Sequence, residues 1–255
     1  MTLPQRIIKQ TLVATVYGII SVTIVFLIVI IFFPRKPEPP VVELPQPKSL
    51  QVVKYNKITL GNGFADYWAE ISNPNDDFGA KSLDYAFVLK DSEGQVQKKT
   101  GKTYILPGDK KRYVLLLNYS DAYLLEGFEL SSTPMWTELS KFNLPELVIR
   151  NVNVGVSDKA GKAFTVFGIL TNSSKLNLKN IQVISILTDS SGNIIGVNET
   201  LVRDILTSES REFEMTWDTV IPNATVSNTI IYAQSNVVDD RELLIQMQQG
   251  PIFDR

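Results

Sequence analysis

Leu83-Asp84-Tyr85-Ala86-Phe87-Val88-Leu89-Lys90-Asp91-Ser92-Glu93-Gly94 and Ile181-Gln182-Val183-Ile184-Ser185-Ile186-Leu187-Thr188-Asp189-Ser190-Ser191-Gly192 follow one pattern. Each is an apolar run that ends on Asp-Ser-x-Gly, and such a run bounded by turn residues reads as a strand entering a tight hairpin. Side chains alternate along a strand, so Tyr85, Phe87 and Leu89 share one face. In the second copy Val183, Ser185 and Leu187 share that face, and Ile184 and Ile186 occupy the other. A strand apolar on both faces predicts a central strand of a packed sandwich, or a face covered by a neighbour. In the turn, Asp91 or Asp189 can accept from backbone amides, and Gly94 or Gly192 supplies positive φ. One carboxylate is far short of the about six to eight oxygens that calcium takes, so these are turns and not metal sites.

Outward from this pair the repeat extends at an offset of about 100 residues. Val53-Lys54-Tyr55-Asn56-Lys57-Ile58 opens one copy and Val148-Ile149-Arg150-Asn151-Val152-Asn153-Val154 the other. Tyr67-Trp68-Ala69-Glu70-Ile71-Ser72-Asn73 matches Val166-Phe167-Gly168-Ile169-Leu170-Thr171-Asn172, each a strand ending on asparagine. Ile105-Leu106-Pro107-Gly108-Asp109-Lys110-Lys111-Arg112-Tyr113 aligns without a gap with Ile205-Leu206-Thr207-Ser208-Glu209-Ser210-Arg211-Glu212-Phe213, and Pro134-Met135-Trp136 with Ile230-Ile231-Tyr232. Asn73-Pro74-Asn75-Asp76-Asp77 and Asn172-Ser173-Ser174 are expected to be solvated loops, and Gly61-Asn62-Gly63 a turn between strands. The predicted fold is all-β: two tandem immunoglobulin-like β-sandwich domains, residues 50–146 and 147–238, with one N-terminal transmembrane α-helix.

That helix is read from Thr11 to Phe33, twenty-three residues without a charge, followed by Pro34-Arg35-Lys36. At about 1.5 Å per residue it would reach roughly 34 Å, enough for a hydrocarbon core of about 30 Å. A cleaved signal has a shorter apolar region ending at a small-x-small site, whereas this one ends in Phe32-Phe33-Pro34-Arg35. A helix of a soluble core would carry a polar stripe. Arg6 and Lys9 precede the span without an acid, so residues 1–10 are expected in the cytoplasm and the bulk of the chain outside it, as a single-pass signal anchor. Ala14, Gly18 and Ser21 line one side and are candidates for helix–helix contact. Six of the sixteen residues 34–49 are proline, which predicts an extended stalk of up to roughly 50 Å.

The C-terminal tail, residues 239–255, has Leu243, Leu244 and Met247 at helical spacing and Ile252 and Phe253 near its end. These five could pack back on the second module or dock on a partner. The sequons Asn118-Tyr119-Ser120, Asn172-Ser173-Ser174, Asn198-Glu199-Thr200 and Asn223-Ala224-Thr225 are expected from a chain rich in Asn, Ser and Thr.

Phe87-Val88-Leu89-Lys90-Asp91 resembles the motif that names the FxLYD domains, with Lys90 where that family often carries Tyr, and Leu187-Thr188-Asp189 keeps its end in the second copy. The block order is also similar to the related water-stress and late-embryogenesis-abundant type 2 sandwiches. The resemblance implies immunoglobulin-like modules outside a membrane anchor, with no shared catalytic residues and a binding or spacing role.

The chain has no histidine and no cysteine. Ser-His-Asp triads, thiol nucleophiles and the usual zinc sites therefore lack their parts. Asp84 and Glu70 stand in apolar strands but at outward positions. No glycine-rich loop precedes a helix, and no catalytic, metal or cofactor-binding residue is expected. Residues 50–146 carry 11 basic and 13 acidic side chains and residues 147–238 carry 7 and 8, which offers no field for nucleic acid. Lys98-Lys99-Thr100-Gly101-Lys102 and Lys110-Lys111-Arg112 could form a local basic patch toward an anionic envelope polymer. Two expectations follow: a membrane-anchored binding or scaffold protein of the cell envelope with a protein partner or homo-oligomer, or a structural subunit of an envelope assembly such as a pilus, secretion or surface-layer apparatus.

Overall fold

Along Phe164–Asn172 buried and half-buried residues alternate without a break, which is what one face on a core and one face elsewhere demands of a strand. This computed structural model describes residues 3–32, 46–61, 63–130, 134–139, 144–222 and 224–248. Two compact units result, Met1–Gln46 and Pro47–Arg255.

In the N-terminal unit, α1 spans Leu3–Phe32. Its segment Thr11–Val29 is long and apolar enough to cross a membrane, and its side chains are exposed. Thr15 and Thr23 donate their hydroxyls to the carbonyls of Thr11 and Ile19, both at 2.9 Å, so neither adds an unpaired donor to an apolar surface. Of the expected stalk, residues 34–45 lie outside the described residues. Its end is already part of the folded unit: Asn75 donates to the Lys48 carbonyl (2.8 Å) and accepts from the Lys48 amide (2.7 Å).

The first module comprises β1 (Gln51–Gly61), β2 (Phe64–Ser72), β3 (Phe78–Lys90), β4 (Val96–Ile105), β5 (Arg112–Ser120), β6 (Leu124–Leu130) and β7 (Trp136–Glu138). One sheet is ordered β1-β2-β5; the other is β4-β3-β6, with β7 added to the start of β3. The second module comprises β8 (Leu147–Val156), β9 (Phe164–Asn172), β10 (Leu178–Thr188), β11 (Ile194–Ile205), β12 (Ser210–Trp217) and β13 (Thr229–Ser235), followed by α2 (Arg241–Gln248). Its sheets, β12-β9-β8 and β11-β10-β13, repeat the first pair, and every pairing is antiparallel.

The gapless alignment fails by one residue before β5 and β12, because Glu70 pairs Tyr113 where Ile169 pairs Glu212, so Tyr113 corresponds to Glu212 and not to Phe213. The correspondence of the last strands differs as well. β13 pairs β10 with Ile184 opposite Tyr232, and the strand in the same place on β3 is β6, with Ala86 opposite Glu129. Trp136 instead lies on β7, opposite Ala80. The cause is loop length, since β6 follows β5 after three residues whereas β13 follows β12 after eleven, so no constant offset holds there.

Tyr67, Ile71, Phe87, Leu89 and Phe128 fill the space between the first two sheets. Phe164, Leu170, Val183, Leu187 and Phe213 do so in the second. Asn73 and Asn172 are fully buried and not parts of solvated loops. Asn73 donates to the carbonyls of Phe78 (2.6 Å) and Leu106 (2.9 Å), and Asn172 to Leu176 (2.7 Å) and Leu206 (3.2 Å). Each amide thereby satisfies carbonyls that the loop leaves unpaired. The hairpins match expectation: Asp91 Oδ1 accepts from the amides of Glu93 and Gln95, and Asp189 Oδ1 from Ser191 and Asn193.

Candidate functional site

Tyr67, Ala69 and Ile71 point into the first core, so Trp68 between them points out, yet it is 1% exposed. What covers it is the second module. Trp68 and Tyr113 from the β1-β2-β5 sheet pack with Ile184, Ile186 and Val197 from the β11-β10-β13 sheet. The rings of Trp68 and Tyr113 lie 6.2 Å apart and those of Tyr113 and Tyr232 5.7 Å apart. Tyr113 also donates to Glu70 Oε2 (3.2 Å), and Lys54 Nζ sits 5.9 Å over the Trp68 ring. Burying such side chains contributes roughly 1.5–3 kcal/mol each. Apolar residues on both faces of β10 are thus explained by a neighbouring module.

A polar cluster lies beside this apolar contact. Arg112 is buried (4% exposed) and donates to the side-chain oxygens of Gln234 and Gln182 in the second module and to Thr103 in its own. Its guanidinium stacks 4.1 Å from the Tyr104 ring centre. Gln234 passes the connection on, donating to Asp109 Oδ1 at 2.7 Å, while Asp109 Oδ2 accepts from the Leu106 amide at 2.8 Å. Burial pushes the Asp109 carboxyl up, and the Leu106 amide and Arg112 charge offset part of that. The cluster fixes where one sheet sits on the other, because an Arg112 left without Gln182 and Gln234 would be a buried charge with unmet donors.

At the other end the two modules enclose a cavity of about 160 Å³, lined among others by Phe64, Asp66 and Asn118 from the first and by Lys162, Asn198 and Trp217 from the second. Asp66 is 2% exposed and accepts from the Asn118 amide at 2.8 Å. Burial raises its carboxyl to about 6, with that amide pulling the other way. Lys162 is engaged with Asp218 at 2.5 Å. Asp66, Lys162 and Asp218 are the ionisable side chains of this lining. Among the described residues, no three carboxylates or other metal-ligating side chains come together.

Asp84 is an exposed partner of Lys102 and Glu70 a half-buried one of Tyr113, as their outward parity requires. Asp66 carries the same parity and gave no signal of burial, since the cover comes from a distant part of the chain. Lys98 and Lys102 pair with Glu129 and Asp84, and Lys110 with Asp76, while Arg112 of the second stretch is buried.

Ala14, Gly18 and Ser21 lie exposed on α1, with open space around Gly18. In the tail, Leu243 and Met247 are buried in, and Leu244 packs against, a core made of the second module together with Tyr104, Leu106 and Leu139 of the first. Asp240 caps α2 by accepting from the amides of Glu242 and Leu243. Ile252 and Phe253 lie outside the described residues. A scan of family models returns no match to this chain, and a search of curated proteins returns none.

Proposed function

We propose that this chain is a membrane-anchored binding or scaffold protein of the cell envelope, non-catalytic, that acts through the surfaces of two FxLYD-like sandwiches. In this reading α1 anchors the chain in the bilayer, residues 1–10 are cytoplasmic, and the Pro-rich stretch from residue 34 holds the modules outside. The observation that carries it is one apolar helix on a chain whose two sandwiches meet in an apolar junction. Absence of histidine and cysteine from the chain favours contact over chemistry. The partner is a protein or an envelope polymer, and near-neutral modules disfavour nucleic acid.

The rival reading is a structural subunit of an envelope assembly, in which Ala14, Gly18 and Ser21 of α1 or the apolar tail contact other subunits. Leu243 and Met247 are buried within the chain, so in that reading the contact falls first to the α1 residues. Cross-linking in intact cells, mild detergent extraction and mass spectrometry of what co-purifies test the proposal. A stoichiometric partner cross-linked to residues of the modules is expected. A chain released by alkaline wash, or one that stays without any cross-linked partner, would count against it.

A further inference from the structure

The intramolecular junction is heterologous, because it joins the β1-β2-β5 type of sheet to the β11-β10-β13 type. Since each module has both types, the chain ends with one unused copy of each: the outer face of β12-β9-β8 and that of β4-β3-β6. A contact of this kind can continue from chain to chain without closing. The strand registers give the equivalent residues. Pairing Ile169 with Glu212 where Glu70 pairs with Tyr113 puts Glu212 in the place of Tyr113, and Glu214, opposite Phe167, in that of Leu115. On the other face Ala86 and Val88 stand for Ile184 and Ile186, Lys98 for Val197 and Glu129 for Tyr232.

At the junction these positions are apolar or aromatic and mostly buried; at the free faces four of them are charged. The same docking would set Glu212 against Glu129 where Tyr113 now stacks on Tyr232 at 5.7 Å. It would also strip water from the Lys98–Glu129 pair, whose side chains are now 52% and 53% exposed. Two like carboxylates at such a distance in a closing interface oppose association strongly.

We propose that the module junction is a sheet-on-sheet contact that the repeat would allow to recur between copies of this chain, and that Lys98, Glu129, Glu212 and Glu214 on the two remaining faces hold it to a single use per chain. The polar end faces act as caps on a two-unit stack.

The test compares full-length chains in detergent micelles by sedimentation, so that any association through α1 is common to all. Three variants are needed: Lys98→Val with Glu129→Tyr, Glu212→Tyr with Glu214→Leu, and all four together. Mixing the two double variants should give a 1:1 complex of roughly double the wild-type mass, and the fourfold variant should form longer, concentration-dependent chains. A mixture that sediments like wild type would overturn the proposal, as would equal self-association of either double variant alone. Because the mixture uses two separately folded proteins, whose circular dichroism is checked first, misfolding of the fourfold variant does not decide the outcome.

Discussion

Asp66 shows how one residue reports the arrangement of the whole. Its folded carboxyl is raised from 3.8 to about 6 by burial, so the folded state holds a proton that the unfolded state has released between those values. The associated stability is complete below about pH 4 and is lost as pH rises through about 6. Asp66→Asn should therefore stabilise the protein at pH 7.5 by about 1–3 kcal/mol and flatten the rise in melting temperature expected of the wild type on going to pH 5. Melting curves at both pH values check this, and an unchanged pH slope in the variant would refute it. Ser208 offers a second single-site test. It sits at φ +62, where its counterpart Gly108 sits at +69, so the second module forces a side chain into the left-handed region. Ser208→Gly should raise the denaturation midpoint, worth about 0.5–1 kcal/mol, while Gly108→Ala should lower it by at least as much.

At the scale of elements, α2 illustrates what periodicity could and could not decide. Leu243, Leu244 and Met247 marked an amphipathic helix, yet the pattern is identical for a helix that docks at home or on a partner. The structure buries Leu243 and Met247 among residues that include Tyr104, Leu106 and Leu139 of the first module, so this helix helps seal the second core next to the junction. Leu243→Ala should cost about 2–4 kcal/mol of stability, as expected for a buried leucine, and leave the helix able to form. Equilibrium denaturation with circular dichroism measures it; a cost under about 0.5 kcal/mol would place Leu243 at the surface. Strand identity, hairpin turns and the core faces of β3 and β10 were legible because period-two patterning is local. The equivalence of β6 with β13 was not, since pairing depends on where a strand lands after its loop.

For the whole molecule, the sequence carried the repeat and the apolar helix plainly. It carried the junction only as an anomaly: Trp68 at an outward position, and Ile184 and Ile186 opposite a face already apolar. Those residues could not say which surface covers them, because the answer is set by contacts about 115 residues apart in the chain. Asp66 and Arg112 were hidden for the same reason, as nothing beside them in sequence marks a charged residue that a second module will bury. The glutamates at 212 and 214 look like ordinary solvated charges until the registers place them on the positions of Tyr113 and Leu115.

Two sandwiches folded from a repeated sequence form one body through the Trp68–Ile184–Ile186 contact and the Arg112 cluster. Calorimetry of the full chain in detergent, alongside a Trp68→Glu variant, tests it most directly. One transition with equal calorimetric and van't Hoff enthalpies is predicted for wild type, splitting into two when Trp68→Glu forces a charge into the junction. Two resolved transitions in wild type, or a single unshifted transition in the variant, would contradict it.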